Sequence, residues 1–236
     1  MRRSRVTPLV IEKIRTFLKT FPKTLDDMER LLTRNRIFVD RTKGVGVLTK
    51  EEAIAGGATG PVARASGVTR DLRKDEPYLA YADFQFQVCC ASAGDCYARY
   101  LVRMQEMRES LKIVQQALEN LPAGDVNVSI DQRVARPTKQ QVYSTIEGTI
   151  SHFELSMANR GFEVPCEESY AAIEAPNGEL GFYVVGDGSE TAYRARCRPP
   201  SVLHFALFPQ LIRGHTLSDV VAVLGSLNII AAELDR

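Results

Sequence analysis

The stretch that most constrains this chain is DCYARYLVRMQEMRESLKIVQQALENL, residues 95–121. Its larger apolar side chains, Tyr97, Tyr100, Leu101, Met104, Met107, Leu111, Val114, Leu118 and Leu121, recur at spacings of three and four. That period predicts one long helix with an apolar stripe, with Arg99, Arg103, Glu106, Glu109, Lys112 and Glu119 elsewhere around it. Asp95 caps its start, and the Pro122-Ala123-Gly124 run stops it. About 27 residues at roughly 1.5 Å each make a rod of roughly 40 Å. A rod of that length needs partner helices to bury its stripe, so the chain reads as a helical bundle.

The rest of the sequence supplies those partners. Thr7-Pro8 starts a helix carried by Val10, Ile14, Phe17, Leu18 and Phe21, which the spacing ends at Pro22. A second short helix follows from Thr24. The basic N-terminus reads as that first helix rather than as a targeting segment, because Glu12 interrupts the pattern and no small-residue cleavage site follows. Residues 40–77 read as a glycine-dense central loop with one short helix, opened by the capping box Thr49-x-x-Glu52. GVGVLT lacks the third glycine of a dinucleotide fingerprint and follows no βαβ pattern, so close turns are the better reading of these glycines. The charges Arg64, Arg70, Asp71, Arg73, Lys74, Asp75 and Glu76 read as a solvated or subunit-facing loop.

Pro137-Thr138 opens another helix with the stripe Val142, Ile146, Ile150, Phe153 and Met157, ending at Gly161. His152 beside that stripe reads as structural. From Ser169 the period changes to two. Residues 170–175, 180–185 and 192–198 read as three strands, with Asn177-Gly178 and Asp187-Gly188 as hairpin signals. Arg194, Arg196 and Arg198 share one face of the third strand, facing solvent or an acidic partner. The chain ends in a short helix through Leu203 and Leu207 and an apolar segment from Ser218. The fold class is therefore α+β and mainly α. It divides into a bundle part over 1–161, an antiparallel β meander over 162–200, and a C-terminal helical segment over 201–236 that packs back on the bundle.

Several function classes are excluded or disfavoured. A net charge of +1 gives no electrostatic reason to expect nucleic acid. No apolar run reaches the roughly 20 residues of a spanning helix. Five cysteines without a CxxC, and His204 and His215 without ligand spacing, argue against a disulfide framework or a zinc site, so reduced thiols are expected.

Five stretches carry a resemblance, in their order and spacing as well as their wording. They are NRIFVDRTKGVGVLTKEEA (35–53), TGPVARASGVTRDLRKDEPY (59–78), GDCYARYLVRMQEMRESLKIVQQALENLP (94–122), EAPNGELGFYVVGDG (174–188) and RGHTLSDVVAVLGSLNIIAAELDR (213–236). Together they resemble the 49-kDa (D) subunit family of the proton-pumping NADH:quinone oxidoreductase, respiratory complex I, from about residue 9 onward. The resemblance implies a bundle like the large subunit of nickel–iron hydrogenases. The ending SLNIIAAELDR has no cysteine, and soft thiolates are what such a metal centre requires, so no metal is expected here.

The resemblance further implies a cavity for quinone as substrate, shared with a neighbouring iron–sulfur subunit, and lined here by Asn228, Ile229 and Ile230. No cofactor is expected on this chain alone; iron–sulfur clusters and FMN would sit on partner subunits. No residue takes a catalytic role, because the chain matches only the C-terminal part of the family, and the family's headgroup residues lie in the N-terminal part. That part is expected on a separate chain, or to be missing because the gene product is truncated or because this lineage has lost the segment. The family's aspartate stands here as Asn228, which cannot ionise, and its glycine before the glutamate as Ala232. The expected place is peripheral, on the cytoplasmic side of a bacterial membrane or the matrix side of the mitochondrial inner membrane. Two other readings are a catalytically inactive structural or assembly protein derived from that family, and the same kind of subunit in a ferredoxin-fed complex.

Overall fold

A computed structural model describes residues 8–122, 137–157 and 163–235. Helix α1 (Pro8–Met28) leads through a π-helical turn at Glu29–Thr33 into α2 (Arg36–Thr42), α3 (Lys50–Ala55), α4 (Gly60–Ala65) and α5 (Leu72–Asp75). A 3-10 turn at Tyr81–Asp83 precedes the long α6 (Cys96–Glu119). Then come α7 (Lys139–Ser144), α8 (Ile146–Ser156), the strands β1 (Glu168–Ala175), β2 (Gly178–Val185) and β3 (Arg194–Arg198), and α9 (Pro200–Leu211), α10 (Leu217–Leu227) and α11 (Ala231–Leu234). The chain is mainly α with one small antiparallel sheet of order β1-β2-β3.

Two compact units divide it. One comprises residues 1–14, 121–170 and 183–196; the other comprises 15–120, 171–182 and 197–236. In the first, Thr138 closes a capping box on α7 and Thr145 caps α8 through Gly148 N. The single helix expected from residue 138 is therefore two, because Thr145 adopts an extended backbone between them. Its expected end at Gly161 lies outside the described residues. His152 is exposed, edge-on to Phe153.

The second unit holds the core. Leu48, Ala53, Val62, Ala63, Cys96, Leu207, Leu211, Val223 and Leu227 form one buried cluster. Sequence expectation fails instructively in three places. Pro22 does not end α1, which continues six residues further and buries Leu25 completely. Proline removes one backbone bond, and the burial of Leu25 offsets that loss. The expected short helix from Thr24 is thus the end of α1. Residues 40–77 carry three short helices rather than one. The third correction is the buried face of α6, which shares only Met104 with the expected stripe. Its buried residues are Cys96, Ala98, Arg99, Val102 and Met104, while Leu111 is half-buried and Val114 is exposed. Small side chains at Ala98 and Val102 let Ala65 approach on this face, while Tyr97 and Tyr100 of the expected stripe meet Phe38 and Thr33. Farther along, α6 is met through polar groups: Gln85 and Gln116 exchange hydrogen bonds, and Arg108 pairs with Asp26 and Glu29.

One glycine fixes how α6 begins. Gly94 has φ +64°, and a Cβ there would collide with Leu48 O. In that conformation Gly94 N donates to Ala65 O, and its own O accepts from Leu48 N. Two loops are thus pinned just before Asp95 caps the helix through Ala98 N.

Candidate functional site

The site grows from the second unit, where α10 ends. Asn228 takes the left-handed conformation, φ 55° and ψ 51°, which suits asparagine better than other non-glycine residues. Its side chain meets Asn177 in the β1–β2 turn. The chain then turns through Ile229 and Ile230, where Ile230 N donates to Ser201 Oγ at 3.3 Å. Glu233 Oε2 accepts from Ser201 N at the start of α9, placing a carboxylate at that helix's positive end.

The three residues expected to wall one cavity are placed differently. Asn228 lines a cavity of about 470 Å³. Ile229 packs against the hydrophobic core, and Ile230 is 43% exposed. Among the described residues, then, Asn228 alone of the three borders that cavity.

The remaining walls went unrecognised in the sequence. Four residues on one face of α6 form the floor: Arg103, Glu106, Met107 and Ser110. Arg64 from α4, Arg73 from α5, Tyr81, and Glu174 with Ala175 and Pro176 from the end of β1 complete it. This is a charged cavity. Arg64, only 2% exposed, donates from Nε to Glu106 at 2.7 Å and from Nη1 to Glu174 at 2.7 Å. Asp71, fully buried, lies 3.8 Å from Arg64 and takes two hydrogen bonds from the Arg73 guanidinium. Of the charges expected to face solvent or a neighbouring subunit, Arg64, Asp71 and Arg73 therefore turn inward, while Arg70 stays exposed. Carboxylates buried so deeply must be paired, and these are.

The local field follows from burial and pairing. Burial pulls the Arg64 guanidinium down, but Glu106, Glu174 and Asp71 more than offset it, leaving its pKa raised. Burial raises Glu106, with Arg64 opposing. Burial would raise Asp71 too, yet Arg73 and Arg64 hold it below the ordinary carboxylate range. Arg103 is pulled down to about 10 by burial and by neighbouring Arg99, so it stays cationic at neutral pH. Arg99 is wholly buried, and among the described residues its guanidinium donates to Gly46 O, Gly94 O, Ser226 Oγ and Cys96 Sγ.

Nearby, His204 on α9 is completely buried, and its Nε2 accepts from Thr59 N at 3.3 Å. Burial pushes it down to about 4, aided by Arg103, Arg198 and Arg99, so it is neutral with its proton on Nδ1. Among the described residues no group of three or more His, Cys, Asp or Glu could hold a metal ion. No described helix is long and apolar enough to cross a membrane.

Comparison with known proteins decides the family. Residues 3–236 match the family model described as the respiratory-chain NADH dehydrogenase 49 Kd subunit. The chain belongs to that family. It is 47% identical over 231 residues to the D subunit of the NADH-quinone oxidoreductase of Caulobacter vibrioides, covering 97% of this chain and 57% of that protein. The corresponding protein of Ehrlichia chaffeensis is 43% identical over 227 residues, 96% of this chain and 57% of its own length. That of Methylacidiphilum infernorum is 46% identical over 225 residues, 95% and 53%. The chain thus spans little more than half the length of these 49 Kd relatives. The buried arginines belong to stretches that carried the resemblance: Arg64 to TGPVARASG, and Arg99 and Arg103 to DCYARYLVRM. A helical-period reading counts arginine as outward-facing. The available signal was that Arg99 and Arg103 flank Val102 near the small Ala98.

Proposed function

We propose that this chain is part of a quinone-reducing NADH dehydrogenase of the respiratory chain, held at the membrane surface through partner subunits. One observation carries the reading: its match to the 49 Kd family runs through nearly every residue, from 3 to 236. Electrons from NADH would arrive through iron–sulfur clusters on neighbouring subunits. This chain would supply scaffold and one side of the quinone chamber, at the turn Asn228–Ile230 after α10. Asn228 offers a neutral donor and acceptor there, and the exposed Ile230 offers apolar surface to a ring or isoprenoid tail.

Ile230→Asp in the assembled complex tests this. Ile229 is unsuitable, since it packs on the core and a carboxylate there would disturb folding. A charge at position 230 should suppress quinone reduction while the complex still assembles. Unchanged quinone reductase activity would overturn the assignment of this turn to the chamber.

A second reading has its own observation. Asn228 cannot ionise, and its side-chain amide nitrogen donates to Asn177 Oδ1. A chain serving only as scaffold or assembly factor tolerates that arrangement fully. A complex that assembles around this chain without reducing quinone would establish that reading instead.

A further inference from the structure

Within the α6 cavity the cations and anions can be matched partner by partner. Arg64 takes Glu106 and Glu174. Arg73 takes Asp71 through Nε and Nη2, at 2.9 and 2.7 Å. Arg103 is left with one long bond, Nη1 to Arg99 O at 3.3 Å. Its Nε and Nη2 are buried and have no acceptor among the described residues. Those two atoms form one edge of the guanidinium, the fork that grips both oxygens of a carboxylate side-on. The neighbour along the helix, Arg99, is a second buried cation and repels Arg103; Glu106 opposes that repulsion, but without a hydrogen bond to Arg103 among the described residues. A buried guanidinium with an empty fork is costly, and an anion that fills it recovers much of that cost.

We propose that this cavity is a carboxylate-binding site in which the Nε–Nη2 fork of Arg103 grips the ligand. The proposal rests on the cavity's own charges and not on the quinone reading. Three arginines and two glutamates line the cavity, so one negative charge balances it. Counting the buried Arg99 and Asp71 as well leaves the same excess. A dianion would meet repulsion from Glu106 and Glu174, which favours a monocarboxylate over a phosphate. The fork is out of contact with solvent, so the guanidinium must tilt toward the cavity it already lines. Among the described residues the one hydrogen bond that this motion breaks is the long one to Arg99 O. Ser110 and Asn228 supply further polar groups on the walls. The carboxylate has two conceivable sources, an acidic side chain of a neighbouring subunit or a small free acid.

The test uses the full chain labelled with 15N-arginine and titrated with sodium acetate against sodium chloride at equal ionic strength. One Nε–H resonance, absent from Arg103→Lys, should shift saturably at roughly millimolar acetate. Inorganic phosphate should bind more weakly. Asn228→Asp, which adds a carboxylate to the same cavity, should weaken acetate roughly tenfold, the equivalent of about 1.4 kcal/mol. It also keeps the test open if Arg103→Lys fails to fold. No saturable shift in the native chain, or acetate affinity unchanged by Asn228→Asp, overturns the proposal. If Arg103→Lys lowers recovery of the neighbouring subunits with the tagged chain, the carboxylate is a partner's side chain. If recovery is intact while the acetate response is lost, it is a free acid.

Discussion

Asn177 and Asn228 hold each other. Asn228 Nδ2 donates to Asn177 Oδ1 at 2.5 Å, and Asn177 Nδ2 donates back to Asn228 O at 3.2 Å. The pair ties the β1–β2 turn to the end of α10, fixing two walls of one cavity. Asn228→Ala loses both the hydrogen bond and a residue tolerant of positive φ. It should lower stability by about 2 kcal/mol in urea denaturation. Asn228→Gly keeps the backbone and should cost about 1 kcal/mol. Equal costs for the two would show that the left-handed turn carries no strain.

Arg64 joins α4 to α6 and β1 through Glu106 and Glu174. Replacing it by glutamine leaves buried carboxylates without a cation, a change that costs about 3–5 kcal/mol. The exposed Arg36, which pairs with Asp40 at 3.6 Å, should lose under about 0.5 kcal/mol on the same change. Chemical denaturation of both variants reads the contrast. Similar losses would mean that the Arg64 network is no more protected than the surface pair.

His204 makes stability depend on pH. Its pKa is depressed to about 4 in the fold from an ordinary 6.5, so the unfolded chain binds the proton more readily. The contribution is therefore intact above pH 6.5. It falls as pH drops through the interval to 4, by about 3 kcal/mol in total. His204→Gln should remove that slope, even though it lowers stability at pH 7. Denaturation midpoints at pH 7, 6, 5 and 4 for both proteins provide the check. An unchanged slope in the variant would assign the pH dependence to other groups.

The core cluster predicts a ranking within the chain. Leu227, fully buried beside Val223, should cost about 2–5 kcal/mol when cut to alanine. The half-buried Leu111 should cost clearly less, although the sequence places it in the central apolar stripe. Thermal unfolding of the two variants compares them. A Leu111→Ala loss as large as that of Leu227→Ala would mean that the stripe is buried after all.

Several features set by local chemistry were legible in the sequence. Asp95, Thr49 and Thr138 each cap the helix they were expected to cap, because that hydrogen bond is made within three residues. Asn177-Gly178 marks its hairpin for the same reason. The family was legible too, since long stretches with distinctive wording carry it. The cavity was not. Arg64, Arg103, Glu106 and Glu174 acquire their roles only when segments as much as 110 residues apart meet. Taken alone, each has the pattern of a solvated charge. Pro22 and Thr145 mislead in opposite senses. A proline that should break a helix is overridden by the burial of Leu25, and a threonine that looks like helix interior caps a new one.

Arg99 has a consequence for the order of synthesis. It is made 127 residues before Ser226, the side chain its Nε finally contacts. At about 5–20 residues per second, a nascent chain waits roughly 6–25 s for that partner to be added. Meanwhile the core cluster of Leu48, Val62 and Cys96 stands open where Val223 and Leu227 of α10 will later cover it. The second unit therefore cannot close its core until α9 and α10 have been made.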